Sequence, residues 1–557
     1  MAKQKMGHEA EGRAHPAVPV LHAVLLSGKI SRREFLRTAT LLGIAAPMAY
    51  AMSGAIGADD FIHSAHAATA KAGGVLRVSM EVHELSDPAL FAWSPQANLV
   101  RHMCEYLTIT GADNVTRPYL AERWTPSDDL KTWTFYLRKG IKWHNGDDFN
   151  ADDVVFNLTR WLDPATGSSN IGLFAAMTSG DKDNRRMTPG AVEKVDDYTV
   201  RLHLNSPVLS IPENFYNYPT MIVHRDFDGD LSKKPNGTGP FTLSEYVVGE
   251  KAILKRVPGA YWGGDVYLDE IHYYDHGSAS TAQLAALTSG QVDMTFDFDM
   301  PSLELAASLP NTTVYEAITA QTGCMRMRLT EKPFDDRRVR RAITLAADNT
   351  AYSAQVFRGR GLLGENHHVA SIHPEYAVLP KLERNIAEAK ALIADAGYPD
   401  GLDISIDVGN TDGPWQQHCC EILKQQLAPA GIRLSLNVMP PAKYWDVWNK
   451  APFGLTAWTH RPLGTMVLSL AYRSGVPWNE TAYANPAFDA ALTDAESQID
   501  VDDRKTKMAT VQSILQGDAI MVQPVWLPKF FLAHQKVRNL EAHPTQYHQF
   551  NKVWIDT

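Results

Sequence analysis

Few residues in this chain have types and spacing that suggest chemistry. Asp293, Asp297 and Asp299 recur at short intervals, as acids gripping a hard cation do. The ligand spacing and glycine of a calcium loop are missing, so solvated loop carboxylates are the expectation. Gly359 to Gly364, GRGLLG, fits a dinucleotide fingerprint letter by letter. It follows a helical pattern where that fingerprint follows a strand, and no helix opens at its end, so a phosphate would find no cradle there. Cys104, Cys324, Cys419 and Cys420 are even in number, which is compatible with disulfides in an oxidising compartment. A bridge between adjacent Cys419 and Cys420 would be strained, and their setting reads as a helix face, so free or separately buried thiols are expected. No cysteine–histidine spacing fits zinc, and no GxSxG, HExxH or GxxxxGK[ST] occurs. The expectation is a chain with no catalytic residues, no metal and no cofactor, although catalytic groups converge in space and need no linear motif.

The elements that must position any site are clearer. At 557 residues the chain exceeds what one core holds and should divide into two or three domains. A composition 45% hydrophobic and 21% charged is globular. The net charge of −10, without a Lys/Arg cluster, excludes a nucleic-acid footprint. Ser31-Arg32-Arg33-Glu34-Phe35-Leu36-Arg37 is a twin-arginine export motif. The uncharged stretch Thr38 to Ala58 contains Pro47 and lacks the sustained aliphatic content of a stable span. Cleavage is expected after Ala65-His66-Ala67, with Ala49-Tyr50-Ala51 as the alternative. Residues 1–67 carry seven Lys/Arg and five Asp/Glu, so the mature chain would stand at −12.

From Tyr119 to Asp163 the pattern is a hairpin and a helix. Trp133, Phe135 and Leu137 alternate with polar neighbours, His144-Asn145-Gly146-Asp147 is a turn, and Asn150 caps a helix with Asp152 and Asp153 in its first turn. Further strands are expected at 73–80 and 198–204, and a helix from about Asn98 to Tyr106. Residues 163–189 read as a loop without periodicity. Phe334 to Ile343 opens a helix whose arginines should form its exposed face. Asn385 with Glu388 makes a capping box, and strand 402–408, a helix from Trp415 to Ala428 and strand 432–438 argue parallel pairing.

Four blocks in order carry a resemblance: LAERW through KWHNGDDFNADDVVF, GTGPF with YWGG and YLDEI, the helix–glycine–VD segment ending at Asp293, and PFDDRRVRRAI. Together they resemble the peptide/nickel class (family 5) of periplasmic solute-binding proteins, the capture subunits of ABC importers. Asn145 stands where that family usually has Asp. The resemblance implies an α/β fold of the periplasmic-binding-protein type (class II, enlarged). Two lobes with mixed sheets, an extra small domain and a ligand cleft between the lobes are expected. The implied division is a signal peptide at 1–67, a first domain in three pieces (68–105, 236–317 and 522–557), a second domain at 106–235 and a third at 318–521.

The implied function is capture of a peptide or peptide-like small solute in the periplasm and delivery to an inner-membrane ABC permease, by a monomer with no nucleic-acid partner. Rival readings are a secreted hydrolase, a chaperone-like binding protein, and a binding protein for an anionic solute such as an opine-like or sugar conjugate. In dipeptide-binding members of the class, a Trp-x-x-Asp segment supplies a carboxylate for the peptide's amino terminus. Here Trp458-Thr459-His460-Arg461 puts Arg461 at that position, and no carboxylate follows until Glu480. Arginine suits a carboxylate or phosphate, and would otherwise pair with a protein acid across the cleft. Trp458, Trp415 and Trp93 are candidates to stack on a flat or sugar-like group. His460 and Asn479 complete the expected ligand-binding set.

Overall fold

The computed structural model describes residues 70–180, 185–300, 302–306 and 309–556. The twin-arginine motif, the stretch after it and both cleavage sites lie outside the described residues. Among the described residues no helix is long and apolar enough to cross a membrane.

One large mixed sheet runs through most of the chain. Its strand order is Phe241–Val247, Lys251–Arg256, Glu270–Tyr274, Val75–Ser79, Met294–Thr295, Val525–His534, Thr312–Met327, Phe453–Trp458, Leu402–Val408 and Ile432–Val438. Val75–Ser79 pairs in parallel with Glu270–Tyr274, and Leu402–Val408 in parallel with Ile432–Val438, where the Trp415–Leu427 helix makes the crossover. The two halves of the sheet are joined by the antiparallel pair Thr312–Met327 and Val525–His534. Its register slips between Ile318 and Gln321, opposite Pro528, which has no N–H to give the ladder.

A separate four-stranded sheet holds the hairpin: Ala121–Pro126 pairs with Thr132–Leu137, which pairs with Thr199–His203. Val200, Leu202 and Leu204 share its buried face. The Ala151–Trp161 helix is capped as its sequence suggests. Asn150 accepts from the Asp152 N–H, and the Asp153 carboxylate accepts from the Asn150 N–H.

Apolar side chains gather on either side of the slipped pair. One core joins the first strand, residues 97–106, the 241–273 strands and the C-terminal residues 533–555. The hairpin has its own tryptophan-rich core, and two more serve residues 324–527. At the seam between the first two cores, Gly237 and Gly239 pass directly over the backbone of His102 and Met103. A Cβ on Gly237 would sit 2.0 Å from the Met103 carbonyl oxygen, so only glycine fits there.

Several sequence expectations need correction. The helix expected from Asn98 to Tyr106 runs instead over Ser94–Val100, because Gln96 caps its start by accepting from the Trp93 N–H. The loop at 163–189 contains short helical turns, among them Asn170–Leu173. Arg340 leaves the exposed face expected of its helix: it is buried and donates to the Phe334 and Asp518 carbonyls. Asp293 is no solvated loop carboxylate. It is buried, accepts from Arg77 Nε at 3.0 Å and Nη2 at 2.8 Å, and pairs with Lys536 at 2.7 Å. Burial would raise its pKa, but these two cations hold it below the ordinary value. All four cysteines are buried and free.

A candidate solute cleft between the lobes

The slipped strand pair and the loops beside it form the place where the halves meet. Free of a strand partner, the Ala320 N–H donates to His460 Nδ1 at 2.9 Å. His460 Nε2 then meets Asn114 Oδ1 at 3.1 Å, and the Asn114 amide donates to the Pro462 carbonyl. The neutral tautomer carrying its proton on Nε2 satisfies both ring contacts. His460 is therefore a tie across the gap, with both nitrogens engaged.

A second bridge is ionic. Lys529, on the Val525–His534 strand, lies 3.2 Å from Asp297 in one half and 3.9 Å from Asp412 in the other. Burial works against its charge, yet the two carboxylates keep its pKa above the usual lysine value. Burial pushes the Asp412 pKa up, and Lys529 opposes that shift. Asp412 also accepts from the Gln321 amide at 2.8 Å, so the slip in the strand, the lysine and the Asp412 loop form one cluster.

The expected site residues separate into several roles. Arg461 is half-exposed and donates to Thr459 Oγ1 and the His460 carbonyl. Among the described residues no carboxylate forms an ion pair with it. Trp415 is half-buried against Phe357, and its indole N–H donates to the Asp412 carbonyl, which places it at the Lys529 cluster. Trp458 departs from expectation. It is only 6% exposed, its indole N–H donates to Glu480, and its ring meets His368 and Trp478 edge-on, so it is packing, with no open face for stacking. Asn479 is likewise spent. Its amide donates to the Arg473 and Tyr483 carbonyls, and its oxygen accepts from Thr481 and the Tyr483 N–H, which shapes a turn. Trp93 is 58% exposed at a helix start, and no ring contact joins it to the other candidates.

Sequence reasoning missed Lys529, Asp412, Gln321 and Asp297 as parts of one locality. The only available signal was Asp297, which was read as solvated.

Comparison with known proteins decides what such a cleft belongs to. Residues 116–479, well over half the chain, match the family described as bacterial extracellular solute-binding proteins, family 5 Middle. The chain belongs to that family. This solute-binding protein is 26% identical over 471 residues to heme-binding protein A of Haemophilus influenzae, covering 79% of this chain and 84% of the relative. It is 25% identical over 464 residues to the periplasmic oligopeptide-binding protein of the same organism, covering 78% and 84%. In fold it is similar to the periplasmic binding protein DppA from Helicobacter pylori solved in complex with the peptide STSA. The TM-score is 0.73 at 24% identity, covering 87% of this chain and 99% of that one. The two-lobed α/β architecture is thus that of the family, and the chain is a bacterial extracellular solute-binding protein.

Proposed function

We propose that the cleft captures a peptide or peptide-like solute through an acidic group, with Arg461 as its anchor. The observation that carries this reading is the half-exposed Arg461 guanidinium, which makes no ion pair among the described residues and donates to Thr459 Oγ1 and the His460 carbonyl. In a cleft that sheds water on closing, such a group favours a carboxylate held by two parallel hydrogen bonds and repels an ammonium. The names of relatives that bind oligopeptide and heme, and the peptide in the H. pylori complex, support a peptide-like solute and leave its ends to this chain's own residues. Trp415, held against Asp412, offers the neighbouring aromatic wall.

Native mass spectrometry of the freshly exported protein should show a co-purified solute bearing a carboxylate or phosphate. Binding of acidic peptide conjugates should weaken at least tenfold in Arg461→Ala, since a charge-assisted bidentate pair is lost. Tight binding of ordinary dipeptides, unchanged in Arg461→Ala, would overturn the reading. The protein should bind stoichiometrically without turnover, and consumption of the solute would instead identify a hydrolase.

The twin-arginine motif supports export across the inner membrane in the folded state. Replacing Arg32 and Arg33 together by Lys should leave the precursor in the cytoplasm, because recognition reads the guanidinium pair and not charge alone. Normal periplasmic accumulation of that variant in cell fractions would rule this route out.

A further inference from the structure

Arg461 sits in the short connection between the Phe453–Trp458 strand and the Gly464–Ala471 helix, where different parts of the chain tie down its neighbours. The His460 ring accepts from the Ala320 N–H at 2.9 Å, inside the slip of the strand pair. The Arg461 carbonyl accepts from His373 Nε2 at 3.0 Å, while His373 Nδ1 accepts from the Ala370 N–H at 3.0 Å. The Arg461 guanidinium folds back onto Thr459 Oγ1 and the His460 carbonyl, so its place follows from the place of this connection.

The remaining ties come from across the gap. Asn114, 346 residues before His460, lies in the turn between strands Thr108–Thr110 and Thr116–Pro118. Its Nδ2 donates to the Pro462 carbonyl at 3.2 Å, and its Oδ1 accepts from His460 Nε2 at 3.1 Å. A carbonyl can only accept, which fixes the orientation of the amide. The proton this requires on His460 Nε2 leaves Nδ1 as the acceptor that Ala320 needs, so the whole chain of bonds is consistent in polarity. One buried side chain thus grips the residues on both sides of Arg461.

The turn is built to present that amide. Asn114 has a φ of 60°, in the left-handed region that asparagine tolerates better than most residues with a side chain. Its N–H donates to the Gly111 carbonyl at 2.9 Å, and the Gly111 N–H donates to Val115 at 3.1 Å. Arg117 Nη1 holds Asp113 at 2.9 Å, and the Thr110 and Thr116 hydroxyls meet at 2.9 Å. Behind the turn, His543 Nε2 donates to the Thr110 carbonyl at 2.9 Å. An asparagine in a turn commonly bonds its own backbone, and neighbouring Asp113 does so by accepting from the Val115 N–H. The Asn114 amide instead directs both of its polar atoms across the gap.

We propose that Asn114 is a positioning residue for solute capture: as the lobes close, its amide takes hold of His460 and Pro462 and fixes Arg461 between them. This rests on the reading of Arg461 as the anchor for the solute's acidic group. With the lobes apart, the connection keeps Ala320 and His373 as partners but loses its restraint from the opposite wall. Closure and anchoring are then one event, since the bonds run from Ala320 in the slipped pair through His460 to Asn114 and Pro462. Bonds made only in the closed form, and not to the solute itself, slow its escape without changing its entry.

The test is stopped-flow binding of N-succinyl-trialanine and, separately, tetraalanine to the mature, ligand-stripped protein. Asn114→Gly keeps the left-handed turn and deletes the amide. It should raise the dissociation rate of the tighter probe about tenfold, for two lost hydrogen bonds, with an association rate within about twofold of wild type. Asn114→Asp keeps the acceptor for His460 and removes the donor to Pro462, and should give a smaller rise. Hydrogen exchange of residues 459–463 should slow on probe binding in wild type and not in Asn114→Gly. The urea midpoint without probe should be the same in both. An unchanged dissociation rate in Asn114→Gly, an effect confined to association, or a lowered urea midpoint would overturn the proposal. Binding of neither probe to wild type would overturn the anchor reading and this inference with it. If Arg461→Ala keeps the wild-type ranking of the two probes while Asn114→Gly releases them faster, the anchor reading fails and Asn114 is a tie between lobes only.

Discussion

Glu480 shows how a single carboxylate organises its surroundings. It accepts from Arg326 Nε at 2.8 Å, Thr456 Oγ1 at 2.6 Å and Trp458 Nε1 at 2.8 Å, all out of contact with water. Arg326 completes its shell by donating to the Ala451 and Trp448 carbonyls. Glu480→Ala would strand a buried guanidinium and free the Trp458 indole, and should cost about 3–5 kcal/mol in urea unfolding. Buried histidines set a second property. Burial lowers the pKa of His102 and His368 to about 3 and of His367 and His543 to about 4. The folded protein therefore refuses protons that the unfolded chain accepts near pH 6.5. Stability should be at its full value above that pH and should fall as pH drops toward 4. Each histidine contributes a slope of roughly 1.4 kcal/mol per pH unit once the unfolded chain is protonated. Denaturation midpoints measured from pH 7 to pH 4 should fall steeply, and a flat profile would contradict the burial of these rings.

At the scale of elements, local chemistry and packing make separable contributions. The Asn150 cap is local, so Asn150→Ala should cost about 1 kcal/mol and leave the fold intact by circular dichroism. Gly237 is different. Its neighbour is the Met103 carbonyl, more than 130 residues earlier, and Gly237→Ala must displace backbone. That substitution should destabilise by several-fold more than the cap loss, about 3 kcal/mol or greater, read in the same unfolding assay. The cap was legible because side chain and backbone partners lie within three residues. Gly237 was legible only as part of the GTGPF block, since nothing in its vicinity along the chain announces Met103.

At the scale of the whole molecule, the slip between Ile318 and Gln321 and the strand opposite it are the natural place for the halves to turn. We expect the hinge there and in the crossovers near residues 236 and 522, with the ties at His460–Asn114 and Lys529 marking the approach of the lobes. Small-angle scattering should show a smaller radius of gyration on saturation with solute. Lys529→Met leaves Asp297 and Asp412 facing each other without a cation, so it should widen the liganded form and weaken solute binding. An unchanged radius in both proteins would exclude hinge closure.

The sequence alone determined what depends on near neighbours: the alternating strands of the hairpin, the caps at Asn150 and Asn385, the parallel unit around the Trp415 helix, and, through its ordered blocks, the family. It also pointed to Arg461 as a cation where a carboxylate is usual. Only the tertiary structure decided which candidates have polar groups left unspent. Trp458 and Asn479 have the right types but are consumed by Glu480 and by a turn, and His460 is spent on Asn114 and Ala320. Conversely, Asp297, Lys529 and Asp412 come together from three distant segments, and Arg101 is left with an unspent donor only because its neighbours in space are phenols. Whether a polar side chain is free or satisfied depends on partners that the fold supplies from far along the chain, and residue type carries no record of them.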